Sequence, residues 1–362
     1  MKRFASTSAA GQLVSAVVIA CAAAVLGLGA APGLADEPSP ELAKYTDRVD
    51  KSVDKALAYL AKIQQPDGTF AGRLANNSGV NSLCVMAFLA KGHTPGAGPY
   101  GGVINKGIDA VIASQQPSGL LLNKSAAHGP MYSHTISTLM LSEVSGMVDA
   151  ERQKKVDVAL GKALRLIISA QDVQKPEQFK GGWRYQPTSR DADISCTGWA
   201  LMSLRSARNN GAEVPKSAVD KAVGFVMRCR GKDGGFAYQP GGGSGLARTG
   251  TALLCLELAG KHRDKVTLAA GEYVLKNMPR KFGGGFFYYS LYYCSQGMYQ
   301  LGGEYWQRFA AGMYEMMLKF QKPDGSWPAG VSNEQVAGES YSTAMSVLAM
   351  SVSYCQLPIY QR

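Results

Sequence analysis

From Thr46 onward the chain alternates between two kinds of helix-length segment. The first kind is amphipathic. Val49, Val53, Leu57, Leu60 and Ile63 recur at helical spacing with polar residues between them, which places them on one face of a helix. That segment stops at Gln64-Gln-Pro-Asp-Gly-Thr-Phe70, where proline and glycine end a helix. The second kind begins near Val80 and reads Leu83-Cys-Val-Met-Ala-Phe-Leu89. It is apolar nearly all round and is predicted to lie inside the fold. The pair then recurs. Amphipathic helices are predicted over 103–113, 153–170, 217–228, 265–276 and 305–320, each followed by a turn and an apolar helix. Six pairs at a period of roughly 50 residues read as a repeat architecture. Two concentric layers satisfy the pattern, with amphipathic helices outside and apolar helices inside. An open superhelix needs polar end caps, and the last pair ends in ordinary core residues. The expected form is therefore a closed all-α ring.

The stretch from Gly181 to Arg208 shows the phrase most fully. A glycine-rich turn carries Trp183, and a helix opens near Ile194 with Leu201, Met202 and Leu204 on its apolar face. Asp193 stands where an N-cap belongs, because a short carboxylate accepts bonds from orphan backbone N–H groups.

The turn phrase Gln-x-x-x-Gly-x-aromatic stands at Gln64–Phe70 and Gln321–Trp327, and with Leu121 in place of the aromatic at Gln115. It resembles the glutamine–tryptophan repeat of squalene–hopene cyclases. With Met131-Tyr-Ser-His-Thr, Asp193-Ile-Ser-Cys-Thr-Gly-Trp199 and Gly302-Gly-Glu-Tyr-Trp306, the chain resembles the terpenoid cyclase and protein prenyltransferase superfamily. In particular it is similar to exported bacterial proteins with prenyltransferase/squalene-oxidase-type repeats. The resemblance covers nearly everything after residue 45 and implies one (α/α)6 toroid. It leaves the reaction open, because this fold hosts cyclases, prenyltransferases, lyases and binding modules. The implied domains are a signal peptide over 1–35, a linker over 36–45 and the toroid over 46–362.

Class II terpene cyclases protonate an alkene with the middle aspartate of Asp-x-Asp-Asp. Asp191-Ala-Asp193-Ile194 resembles the first three positions, so the resemblance implies Asp193 as proton donor and Asp191 as its neighbour. Ile194 replaces the last carboxylate. A helix N-terminus favours ionised Asp193, while burial and the like charge of Asp191 oppose ionisation. Both the N-cap and the acid therefore stand as readings. Tyr132, Trp199, Tyr292, Tyr293 and Tyr341 gather at the starts of the apolar helices. They could line a ligand pocket and stabilise a cation, or simply fill a core. His134 is either a pocket residue or a hydrogen-bonded core or cap residue. Glu304 and Glu339 could join Asp191 and Asp193 at one rim, where paired acids suit sugar-chain cleavage. The leading expectation is an aromatic-lined central cavity for an apolar, isoprenoid-like ligand. A cyclase-like isomerase using Asp193 and a polysaccharide- or peptide-binding or -cleaving toroid are the alternatives.

Composition narrows the partners. Lys2 and Arg3, an apolar run over 13–28 and Gly33-Leu34-Ala35 read as an export signal. Val18-Ile-Ala-Cys21 is an alternative lipoprotein box. The chain is expected to be periplasmic or extracellular, with no transmembrane segment. Without residues 1–35 it keeps 36 basic and 27 acidic residues, a net charge of +9. The basic residues are scattered and no aromatic-interleaved basic stripe appears, so nucleic acid is not an expected partner. Cys84, Cys196, Cys229, Cys255, Cys294 and Cys355 follow the leader. Export permits disulfides, but most of these cysteines sit in apolar helical runs and read as buried thiols. No Cys-x-x-Cys pair, phosphate loop or nucleophile elbow stands in the sequence. Asp193-Ile-Ser-Cys196 has the wrong spacing for a prenyltransferase zinc pair, and Cys294-Ser-Gln296 lacks a residue of a thioester motif. No metal or cofactor is expected.

Overall fold

Asn77, Asp149, Asp193 and Asp264 each open a helix. Their side-chain oxygens accept from the backbone N–H of Val80, Arg152, Cys196, and of Val266 and Thr267. Such caps satisfy donors that a helix leaves orphaned in its first turn. The computed structural model describes residues 39–123, 129–279 and 281–360. Among them run α1 Pro40–Ala43, α2 Thr46–Lys62, α3 Ser78–Ala90, α4 Gly101–Ala113, α5 Pro130–Val144, α6 Ala150–Asp172, α7 Ile194–Asn209, α8 Lys216–Arg228, α9 Leu246–Leu258, α10 Lys265–Asn277, α11 Phe287–Leu301, α12 Gly303–Phe320 and α13 Gly338–Met350. No strand forms among the described residues, only isolated bridges within and between turns.

The odd-numbered helices from α3 to α13 are the inner layer. Every residue of α3 is buried, and α5, α7, α11 and α13 are buried over nearly their whole length. The even-numbered helices bury one face only, as α2 does with Val49, Val53, Leu57 and Leu60. Each inner helix packs between two others, and α13 returns to α3 while α12 packs on α2. The ring of six pairs is closed, an (α/α)6 toroid.

The turns explain the spacing. Gln64 Nε2 donates to the carbonyls of Gly68 (3.2 Å) and of Val103 on the next outer helix (2.8 Å). Gln115 repeats this with Gly119 and Ala159, Gln171 with Gly181 and Ala218, and Gln321 with Gly325 and Ser52. Each glutamine ties its own turn to the following outer helix, and Gln321 ties the last to the first. The aromatic of the turn points inward. Phe70, Phe236 and Trp327 are wholly buried, and a buried phenylalanine contributes roughly 1.5–3 kcal/mol. Trp183 and Trp327 also donate their indole N–H to Ile167 and Met317 of the preceding outer helix, at 2.7 and 2.9 Å.

The segment read as linker carries the short helix α1, whose Leu42 is buried; α1 packs on α12. The export segment lies outside the described residues. Cys84, Cys196, Cys229, Cys255 and Cys294 are buried thiols outside any disulfide, and Cys355 is half-buried. No helix among the described residues is long and apolar enough to cross a membrane.

Candidate functional site

The chain enters every inner helix from the same end of the ring, because every outer-to-inner turn lies there. At that end is a cavity of about 720 Å³. Leu74, Val80, Leu83 and Ile136 make an aliphatic wall, while Tyr132, Trp199, Phe286, Phe287, Tyr289 and Tyr341 make an aromatic one. Polar groups are few: Asn77, Ser133, Ser195, Ser290, the Tyr185 and Tyr238 pair, and two charged residues, Arg248 and Glu334. A mostly apolar concavity with a few convergent polar groups is the usual form of a small-molecule site. The inner helices also turn the positive ends of their dipoles toward it.

Asp193 stands behind this wall. It is fully buried. Its Oδ1 accepts from Cys196 N at 2.9 Å. Its Oδ2 lies 3.4 Å from Arg184 Nε and makes no hydrogen bond. Arg184 also reaches Asp191, with Nη1 3.2 Å from Oδ2. The guanidinium lies over the rings of Tyr185 and Tyr238, 4.5 and 5.3 Å from their centroids. Those two tyrosines join hydroxyl to hydroxyl and face the cavity. Burial pushes the Asp193 carboxyl up to about 6, against the opposing pull of the Cys196 N–H and Arg184.

Glu334 is the carboxylate on the wall itself. Its oxygens accept from the backbone N–H of Tyr288 (3.1 Å) and Tyr289 (2.8 Å), and Tyr341 Oη lies 3.4 Å away. It therefore caps α11 from a neighbouring turn. Burial raises its pKa and the N–H donors hold it back.

Among the residues singled out from sequence, Tyr132, Trp199 and Tyr341 line the cavity. Tyr292 and Tyr293 do not; they are buried against the Trp199 ring, each 5.2 Å from its centroid. His134 is turned into the fold. Its Nδ1 accepts from Leu121 N at 3.1 Å and its Nε2 lies 3.2 Å from Ala163 O. That pattern fixes a neutral ring with its proton on Nε2, and burial lowers its pKa to about 4. Asp191 is half-exposed and paired with Arg184. Glu339 is paired with Lys322 at 2.8 Å. Glu304 does not join that rim, because it lies in the first turn of the outer helix α12, two residues after the connecting Gly302, at the opposite end of the ring. Glu334, Arg248, Tyr185, Tyr238 and Tyr289 were not singled out. In sequence they sit in turns or first helical positions that resemble solvated ones, and only closure of the ring brings them together.

The sequence matches the prenyltransferase α/α-toroid domain over residues 104–287. The chain belongs to that family. No curated protein matches it. Among solved structures it is similar to the type II terpene cyclase MstE from Scytonema in its apo form, at 16% identity and a TM-score of 0.55, over 86% of this chain and 99% of that one. An MstE variant in complex with geranylgeranyl dihydroxybenzoate, its substrate, aligns at 14% identity and a TM-score of 0.53, over 87% and 100%. An inactive α-1,6-mannanase from Salegentibacter in complex with α-1,6-mannotriose aligns at 9% identity and a TM-score of 0.61, over 84% and 99%. At such identities the likeness establishes the fold, and that fold serves both terpene cyclases and glycosidases.

Proposed function

We propose that this toroid binds an apolar, isoprenoid-like ligand in the cavity at the inner-helix N-termini. The observation that carries the reading is the cavity itself: about 720 Å³, walled mainly by aliphatic and aromatic side chains. A terpenoid chain gains on the order of 25 cal/mol for each Å² of apolar surface it buries there. Support comes from the related fold of a cyclase that holds a geranylgeranyl compound. A sugar chain suits the wall less well. Glu334 is the wall's carboxylate, and both its oxygens already hold backbone N–H groups.

A second reading, cyclisation with Asp193 as the acid, draws on its buried carboxyl, pushed up to about 6. Three features oppose it. Asp193 is absent from the cavity wall, Arg184 stabilises its ionised form, and its Oδ1 is engaged as a helix cap. The test begins with mass spectrometry of lipid that copurifies with the protein. Wild type and Asp193→Asn are then incubated with linear triterpenes. Bound isoprenoid without turnover is the expected result. Cyclic product from wild type alone, with an unchanged melting temperature in the variant, would establish the second reading instead, since an amide cannot supply the proton. We also propose export, on the leader-like residues at the N-terminus; mature-chain N-terminal sequencing tests it.

A further inference from the structure

The end of the ring away from the cavity is crossed by the C-terminal segment. In the inner layer α13 packs on α11 and α3, and α7 on α5 and α9, so α7 stands opposite α13. After α13 the chain makes one helical turn at Val352–Tyr354, which packs on α11 and α13, and another at Pro358–Tyr360, which packs on α7. Residues 351–360 therefore span the ring from one side to the other. Val352, Leu357 and Ile359 are buried on the way. The two halves are held differently. The first is tied by Tyr354 Oη to Asp50 of α2, at 3.2 Å, and by the Cys355–Tyr299 contact, at 2.7 Å. The second is held by its buried Leu357 and Ile359 and by a bond from Ile359 N to Glu143 Oε2, at 3.2 Å. Cys355, left-handed at φ +52°, separates the halves.

Glu143 makes a conditional anchor. It is fully buried at the end of α5, and its Oε1 accepts from Ser206 of α7. Among the described residues no cation acts on it. Lys91, just after α3, pairs with Asp50, and Arg152 of α6 pairs with Asp109 and Asp149. Arg205 and Arg208 of α7, and Tyr354 and Cys355 of the segment, exert no pull on it; burial raises its pKa, and Ser206 and Ile359 N hold it back. A carboxylate that ionises in such a place must find water or a cation. The part of the fold that opens most cheaply is a chain end with few ties, and here a chain end covers the carboxyl. We propose that residues 356–360 are a latch across the far end of the ring, held by Glu143 while it carries its proton and loosened, with Cys355 as the pivot, when it ionises. The latch is independent of what the cavity binds.

The pH window follows from the two states of the carboxyl, about 7 when covered and 4.5 when free. The latch is whole below the lower value, loosens as pH rises between them, and is weakest above the upper one. Hydrogen-exchange mass spectrometry of the full chain reads this, each rate being divided by its intrinsic value at that pH. Protection of residues 356–360 should fall about tenfold per pH unit from about pH 5 to about pH 7 and then level off. A peptide from α9 should keep its protection throughout. Glu143→Gln, which leaves a neutral acceptor for Ile359 N, should keep the latch protected at every pH. A flat wild-type profile overturns the proposal, whether or not the variant folds. So does a Glu143→Gln profile that falls as steeply as wild type. Loss of protection in α9 parallel to that in 356–360 also overturns it, because the carboxyl would then govern the stability of the whole ring and not a local opening.

Discussion

Thr197, Thr249 and Thr343 accept the backbone N–H of Trp183, Phe236 and Trp327, and Asn81 does the same for Phe70. At the matching place His134 accepts from Leu121. A side chain whose chemistry suggested a site is thus one of five acceptors that pin the turns to the inner ring. Its pKa of about 4 lies below its ordinary 6.5. The unfolded chain therefore binds more protons between those values, and stability falls as pH drops through that window. Glu143 acts in the opposite sense. Buried at the far end of α5, it accepts from Ser206 and, at 3.2 Å, from Ile359 N of the C-terminal segment. Burial pushes it from 4.5 up to about 7. Here the native state binds more protons, so stability falls as pH rises from about 4.5 to about 7. His134→Thr should therefore gain melting temperature relative to wild type on acidification from pH 6.5 to 4. Glu143→Gln should gain relative to wild type on going from pH 4.5 to 7. A difference from wild type that is flat with pH would remove either residue from this account.

At the scale of the element, the turn phrase was legible because its proline, glycine and glutamine are close together. Gln171 escaped notice: it stands twelve residues before Trp183, where Gln64 and Gln321 stand six before their aromatics. An insertion separates the two halves of the device in sequence but not in space. The glycine matters as much as the amide. At Gly325 φ is +91°, and a Cβ there would meet Lys55 O at 2.3 Å. At Gly146 φ is +84° but the space is open. Gly146→Ala should cost about 1 kcal/mol, the left-handed penalty alone. Gly325→Ala adds a backbone clash where the last turn meets the first outer helix, and should cost more than about 2 kcal/mol. Urea unfolding of the two variants compares them; equal losses would mean that the close approach relaxes freely.

For the whole molecule, closure replaces end caps. The α12–α2 and α13–α3 contacts and the Gln321–Ser52 bonds join the two ends of the ring. A fragment covering 39–302, lacking the last pair, would expose apolar inner faces of α3 and α11. It should fail to give a cooperative thermal transition, whereas an open repeat array shortened by one unit usually keeps its fold. Circular dichroism melts of the fragment and the full chain make the comparison, and a cooperative fragment would show that closure is dispensable.

The sequence by itself determined the helix pairs, their layers and the family, because amphipathic spacing and turn residues act locally and repeat. It also placed Tyr132, Trp199, Tyr341 and Asp193 at the starts of inner helices. What only tertiary structure decided is which of these face the cavity. Helical spacing fixes a side chain's direction about its own axis, but not which neighbour fills the space in front of it. Trp199 reaches the cavity with Tyr292 and Tyr293 packed behind it, and Asp193 is hidden by a pair of tyrosines from two different turns. Glu334 comes to cap α11 across a sequence distance of 45 residues. No local pattern encodes such meetings; they exist because the ring closes and brings six helix starts to one place.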